Sequence, residues 1–578
     1  TGKNEKKNQE NTYEKATSGL KYILVLKIAI KLLTFIANTL SIRHLDPTTK
    51  GKLFNMELMF MTAIFLATES FRCACIRLRN KPKAVAATVW YIAPIGILFC
   101  FASLYFVLPM KPTSLIEAKN LIKRDNVARL AVSYFFAYMG EAIAEPFYIY
   151  HQNQFSYMPR VLADGVSLFV SAVTRATLIQ LAARNQISMS VFDAFGISNI
   201  LRGSIYLGIF ALSYFFSSSN ESIMSTSILP NFALVKLTMS FYINTFVKYM
   251  LSQGKSYILA STQSEAVQGS YSIVQGLGSL IVRLFFQPLE EMGFYTWSAI
   301  LSADNKKEND TTTKLENIEK ARLLLRTLLK ITSYVGFCIF AFGPGNARLF
   351  VRAIYGKNWA NEEVTTTLSV YCFYVLCLAI NGITESFVRA TLTTLWMFYY
   401  NIFMILSTLF YFLLLLQINS TFVKSMLLSL TGREWNPSSL FVLINSLNSL
   451  IRFTFNILYI KYYLNKARKE ISDEDKEVEA LTYTYSDIIG LPASSCIIWL
   501  LSCFGVGIFS DSVYNPATHF DNPLYIRLPK EIFEWFPFIP IEFQQISSIF
   551  AHISIIYNLL MIFLITFIWN ESAFIKES

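Results

Sequence analysis

Apolar runs of about twenty residues, separated by short polar stretches, recur along almost the whole chain. A helix needs about 20 mostly apolar residues to cross the hydrocarbon core of a bilayer. On that measure the pattern predicts fourteen membrane-spanning helices, at 18–41, 53–72, 84–108, 126–150, 160–182, 191–217, 232–252, 267–288, 321–343, 365–390, 394–417, 437–463, 489–510 and 548–570. The runs are continuous, without the apolar–polar alternation of barrel strands. The seventh is the most interrupted, by Asn231, Lys236, Asn244 and Lys248.

An even number of spans places both termini on one side of the membrane. The charged segments 303–322 and 464–480 and the basic loop 77–83 share that side. An excess of Lys and Arg marks cytoplasmic loops, so this side is expected to be cytosolic. The bias is partial, since loops 42–52, 109–125 and 344–364 are also basic and fall opposite. With this topology only Asn419, of the four N-x-S/T sequons at Asn220, Asn309, Asn419 and Asn570, is non-cytosolic, close to the membrane. No cleavable leader is visible; the chain begins polar and basic at Lys3, Lys6 and Lys7, and the first span reads as a signal anchor.

A short repeat lies within this pattern. The fourth span holds AIAEPF (142–147) and the tenth holds GITESF (382–387). Their glutamates, Glu145 and Glu385, occupy the positions that two stacked six-helix halves require. The expected organisation is a cytosolic tail (1–17), an N-terminal lobe of helices 1–6 (18–217) and a C-terminal lobe of helices 7–12 (218–463). A charged linker (464–488) and two further helices with a tail (489–578) follow.

Composition agrees with the membrane reading and excludes others. Of the 578 residues, 53% are hydrophobic and 15% charged, with mean hydropathy +0.41, whereas soluble domains carry about 25% charged residues. The net charge of +11 sits mainly in loops and at helix ends, where it meets anionic headgroups rather than nucleic acid. The histidines are far apart and the cysteines lie mainly in or beside spans, so no metal-site spacing appears. No Ser/His/Asp arrangement or phosphate-cradling loop is present, and Asp473, Glu474 and Asp475 read as part of a solvated linker. Neither an enzyme nor a bound cofactor is expected.

Charge inside the spans is the informative chemistry, because an ionisable side chain at membrane depth costs at least about 2.5 kcal/mol and marks a cavity or a partner. Lys27 and Lys31 share one face of helix 1 and repel each other, which points to an aqueous cavity or an anionic ligand. Glu69 with Arg72, and Glu385 with Arg389, are spaced to pair on their own helices. Glu141 and Glu145 share a face; both ionise in a wet cavity, one stays protonated, or basic residues of another helix meet them. Asp164, Arg175, Arg202 and Lys248 complete the set. Arg283, in YSIVQGLGSLIVRLFFQPLEE (271–291), has no acidic neighbour one turn away. It requires water, a glutamate on another helix, or a carboxylate or phosphate ligand suited to its planar fork of donors. Gly269, Gly276 and Gly278 precede it and suit close packing or bending. Pro288 is expected to end or kink the helix.

That block, with YCFYVLCLAINGITESF (371–387), GEAIAEPFYI (140–149), TESFRCAC (68–75) and LTFIANTLSIRHL (33–45), resembles the eukaryotic Rft-type proteins of the endoplasmic reticulum. The resemblance extends from helix 1 to at least helix 12. It implies two six-helix lobes around a central cavity, with two extra helices, in a superfamily that holds lipid II flippases and multidrug exporters. It also implies movement of a mannose-rich dolichol-diphosphate oligosaccharide for N-glycosylation, with lipid-linked oligosaccharide, reticulum lipids and other dolichol-pathway proteins as partners. The family's motif residues carry over to Glu69, Arg72, Glu145, Arg283, Gln287, Pro288, Glu290, Glu291, Asn381, Gly382 and Glu385. Thr68 stands where the family often has an arginine.

Three readings follow. In the first, the protein flips the lipid-linked glycan, with Lys27, Lys31, Arg72, Lys248 and Arg283 facing its diphosphate or glycan. Glu69, Glu141, Glu145 and Glu385 are then cavity or coupling carboxylates. In the second, it binds the lipid or organises the pathway without flipping. In the third, Glu141, Glu145 and Glu385 carry protons for drug export.

Overall fold

The computed structural model describes residues 30–77, 82–108, 125–216, 232–302, 311–421, 435–474 and 482–489, apart from Phe155, Tyr157 and Thr393, with a few isolated positions between these stretches. The described secondary structure is helical throughout. In chain order the helices are α1 (Ile30–Ile42), α2 (Pro47–Arg77), α3 (Pro82–Val89) and α4 (Ile92–Val107). Then come α5 (Asn126–Asn153), α6 (Met158–Ala183), α7 (Val191–Phe215), α8 (Phe232–Thr262) and α9 (Glu265–Ile281). A π-helical turn (Val282–Phe286) leads into α10 (Gln287–Ser302), followed by α11 (Thr311–Tyr355), α12 (Glu362–Thr391), α13 (Thr394–Leu416), α14 (Pro437–Glu474) and α15 (Tyr485–Ile489).

Predicted spans two to twelve fall on helix, as does the described part of the first, residues 30–41. Among the described residues, 9 stretches are long and apolar enough to cross a membrane, at 47–77, 85–107, 158–183, 191–215, 265–301, 314–355, 362–391, 396–416 and 437–469. The predicted helices at 489–510 and 548–570 lie outside the described residues. The third span breaks into α3 and α4 just before Pro94, which has no N–H to offer the preceding turn.

Local sequence sets the helix starts. The Asp125 carboxylate accepts from the Val127 N–H at 2.9 Å, and Asn361 Oδ1 accepts from the Val364 N–H at 2.9 Å. At α7 the Ser190 hydroxyl accepts from the Asp193 N–H at 3.2 Å and donates to Asp193 Oδ2 at 2.8 Å. Asp46 caps α2 through the Thr49 N–H at 3.0 Å, with Pro47 at the first helical position. Gly356, at φ +92°, stops α11.

The chain divides into two compact units, residues 1–272 with 354–359, and residues 273–353 with 360–578. In the first, α5 packs on α7, α4 and α2, and α2 also packs on α8. The seventh predicted span therefore belongs to the first unit. Phe60, Tyr134 and Tyr138 stack in its core, with ring centroids 5.7–6.2 Å apart. The starts of α2 and α9 cross closely: a Cβ at Gly269 would lie 2.0 Å from the Pro47 carbonyl oxygen. The segment 354–359 docks on the end of α1, where Arg43 Nε donates to the Ile354 carbonyl at 2.8 Å and Trp359 Nε1 to the Ile42 carbonyl at 2.9 Å.

In the second unit α12 packs on α14 and α10, and α13 on α14. Trp297 and Phe387, both fully buried, meet edge to face at 5.1 Å. The charged stretch after residue 463 begins as helix, because α14 continues to Glu474. Residues 482–489 are pinned beside it: Asn465 Oδ1 accepts from the Tyr483 N–H at 2.7 Å, Tyr483 Oη donates to Glu319 at 2.8 Å, and Arg322 donates to the Asp487 carbonyl at 2.8 Å.

Candidate functional site

In the first unit the two glutamates of α5 pair with arginines of other helices. Glu141 and Glu145 project from α5 one turn apart. Glu145 is almost fully buried and takes a two-pronged contact from Arg72 of α2: Nε donates to Oε2 at 2.8 Å and Nη2 donates to Oε1. Matching a guanidinium fork to both carboxylate oxygens is the strong form of this interaction. Arg72 also lies 3.6 Å from Glu69 and over the Tyr148 ring at 4.3 Å. Arg202 of α7 donates to Glu141 Oε1 at 2.5 Å and faces the Tyr138 ring at 5.6 Å. Of the three alternatives for the two glutamates, partners on other helices are what the fold supplies.

The second unit is different. Arg283 sits in the π-helical turn with its side chain exposed. Its guanidinium turns back on its own helix, donating to the Ser279 carbonyl at 3.3 Å and to the Ser279 hydroxyl. No carboxylate lies within ion-pair distance of it among the described residues. Of the expected end or kink at Pro288, the end does not occur: the Gln287 N–H bonds the Val282 carbonyl five residues back in the π-helical turn, and the helix then runs on to Ser302. Pro288 occupies the first turn of α10, where its missing N–H costs little.

That turn leads into the QPLEE carboxylates. Gln287 Nε2 donates to Glu291 Oε1 at 3.0 Å. Glu290 is half-buried against α12; its Oε1 rests on Gly382, where a Cβ would come within 1.8 Å. Ser386 Oγ donates to the Glu290 carbonyl at 2.6 Å. On α12, Asn381 Nδ2 donates to Glu385 Oε2 at 3.3 Å, and Asn456 of α14 donates to Asn381 Oδ1 at 3.3 Å. The pairing of Glu385 with Arg389, which their spacing permits, does not form. Glu385 is engaged by the turn before it, and Arg389 lies in the last turn of α12.

Lys31 is exposed on α1. Lys27 lies outside the described residues, as does the side chain of Lys248. Sequence reasoning missed Lys50, because 42–52 read as a loop, and passed over Glu57 although it lies within the predicted span 53–72. The signal was present: Asp46 followed by Pro47 is a helix start, which places Lys50 in the first turns of α2 and Glu57 two turns beyond it. Tyr148 and Asn456 carried no such signal, since an aromatic or an amide inside an apolar run reads as core.

A sequence profile of the family described as "Rft-1: Rft protein" matches residues 15–578. The "Man(5)GlcNAc(2)-PP-dolichol translocation protein RFT1" of Xenopus tropicalis is 27% identical over 471 residues, 78% of this chain and 82% of its own. The protein of that name from Saccharomyces cerevisiae is 22% identical over 548 residues, covering 86% of this chain and 90% of its own. Among solved structures, an inward-facing multidrug resistance MATE family transporter of the MOP superfamily superposes with TM-score 0.50 at 15% identity, over 77% of this chain and 99% of that one. At that identity the likeness concerns the fold alone.

Proposed function

The chain belongs to the Rft protein family, and from that premise we propose that it moves a mannose-rich dolichol-diphosphate oligosaccharide from the cytosolic to the lumenal leaflet of the endoplasmic reticulum. Both termini are then cytosolic. The glycan headgroup cannot enter hydrocarbon unaided, so it travels in a polar path while the dolichyl chain stays in lipid, with access alternating between the two faces.

One observation carries the reading. Arg283 is exposed, lies in an apolar helix, and has no carboxylate of the protein against it among the described residues. A guanidinium in that state suits a diphosphate. Lys31, Lys27 and Lys248 are the further cations assigned to the headgroup. Arg72, neutralised by Glu145, acts in holding the helices that frame the path. Glu290 and Glu385 are the carboxylates placed to steer the headgroup by repulsion.

The test is reconstitution of pure protein into vesicles, with transbilayer movement of lipid-linked oligosaccharide as the readout. Wild type accelerates the movement and Arg283→Ala abolishes the acceleration. Wild-type vesicles no faster than protein-free ones, with glycosylation lost on depletion, would instead establish binding or pathway organisation without flipping.

A further inference from the structure

The first unit holds another charged group beside its two Arg–Glu pairs. Arg175 projects from α6, with its guanidinium over the Phe195 ring at 4.5 Å. Its Nε donates to Ser198 Oγ at 3.3 Å and its Nη1 to Asn38 Oδ1 at 3.4 Å. Both bonds are at the long end of useful geometry and use only part of a fork with five N–H groups. No carboxylate lies within ion-pair distance among the described residues. An arginine in this condition has donor capacity to spare.

Its surroundings extend that capacity. Lys50 and Glu57, on one face of α2, both lie within electrostatic reach of Arg175. Tyr134 meets the Asn199 side chain and also lies in the field of Arg175. Among the described residues, two donors in the same group have no partner in hydrogen-bond geometry: Asn199 Nδ2, on a side chain 6% exposed and beside Tyr134, and the hydroxyl of Tyr138, 2% exposed. Lys50, Arg175 and Arg202 stand against Glu57 and Glu141, which leaves one net positive charge. Leaving such donors unfilled is costly in a buried site, and what fills them must supply acceptors and negative charge.

We propose that Arg175, Lys50 and Asn199 form a phosphate-binding site inside the first unit. Arg175 supplies the planar fork, Lys50 the point charge and Asn199 the neutral donor, a set matched to the oxygens of a phosphate or diphosphate. Glu57 is the competing carboxylate that keeps the site weak enough to release its ligand. Two sources share this chemistry: the diphosphate of the transported lipid, which rests on the transport reading above, and a resident phosphate from solution or from bulk phospholipid.

Inorganic pyrophosphate is the probe, titrated calorimetrically at constant ionic strength into purified full-length protein in zwitterionic nanodiscs. Arg175→Gln is expected to weaken binding by about tenfold or more, the scale of one charge-assisted hydrogen bond. Glu57→Gln is expected to tighten it several-fold, a change that a misfolded variant cannot produce. Wild type that does not bind pyrophosphate, or both variants binding as wild type does, overturns the site.

The same variants in the reconstituted transport assay separate the sources. Opposite shifts in the substrate concentration needed for half-maximal movement assign the site to the transported lipid. Altered pyrophosphate binding with unaltered transport assigns it to a resident phosphate and overturns the first source. If wild type does not transport lipid yet binds pyrophosphate through Arg175, the transport reading fails and the site stands.

Discussion

Two sets of intramembrane glutamates, alike in sequence, are treated differently by the two units. In the first, Glu145 is buried with Arg72 bound to both of its oxygens, and Glu141 meets Arg202. In the second, among the described residues, Glu385 has one long contact from Asn381, Glu290 rests on Gly382, and Arg283 holds only Ser279. The sequence repeat pairs Glu145 with Glu385, so the contrast does not lie in the residues themselves. It lies in what the neighbouring helices bring. α2 and α7 each present an arginine at the level of α5, whereas α10 presents a second carboxylate to α12. Charges matched within the protein hold helices together; charges left unmatched remain available to a ligand.

The sharpest way to break this comparison is to unpair the first set. Glu145→Gln leaves Arg72 partly buried and short of its main partner, and is expected to cost about 3–5 kcal/mol, read as a large fall in the thermal unfolding midpoint of the purified protein. If Glu145→Gln unfolds at the wild-type temperature, the pair is not structural. Next is Gly269→Ala, which sets a methyl against the Pro47 carbonyl at the crossing of α2 and α9. Overpacking of that kind costs about 1–3 kcal/mol and should lower the same midpoint less.

The second set predicts the opposite balance. Arg283→Ala should change stability by no more than about 0.5 kcal/mol, as for an exposed side chain, while abolishing the protein-dependent transport of lipid-linked oligosaccharide. A stability loss comparable to that of Glu145→Gln would show that Arg283 is a structural group. The smallest expected stability effect is Glu385→Gln. The amide keeps an oxygen for Asn381, so the unfolding midpoint should stay within error of wild type; a large drop would reveal an ionic partner for Glu385.

The helical membrane-spanning pattern was legible because the signal is long and redundant: about twenty apolar residues survive any single polar interruption. Errors arose where a feature depended on the residues around it. Pro288 read as an end or a kink, and the helix does not end there: a π-helical turn precedes it and α10 continues. Lys50 read as a loop charge because the helix start at Asp46 and Pro47 was passed over. The spacing of Glu385 and Arg389 permits a pair that does not form, since spacing shows what can meet but not what does.

By itself, then, the sequence determined a polytopic helical membrane protein, its family, and the inventory of charges that its helices carry into the bilayer. These follow from hydropathy and from motifs read along the chain, and no long-range contact is needed to see them. Only the tertiary structure decided which charges cancel. An ion pair forms over a few ångströms between helices far apart in sequence, 73 residues for Arg72 and Glu145, and no periodicity on either helix records it. The same limit explains why the sequence counts Arg175 among the intramembrane charges but does not set Ser198 of α7 and Asn38 of α1 beside it.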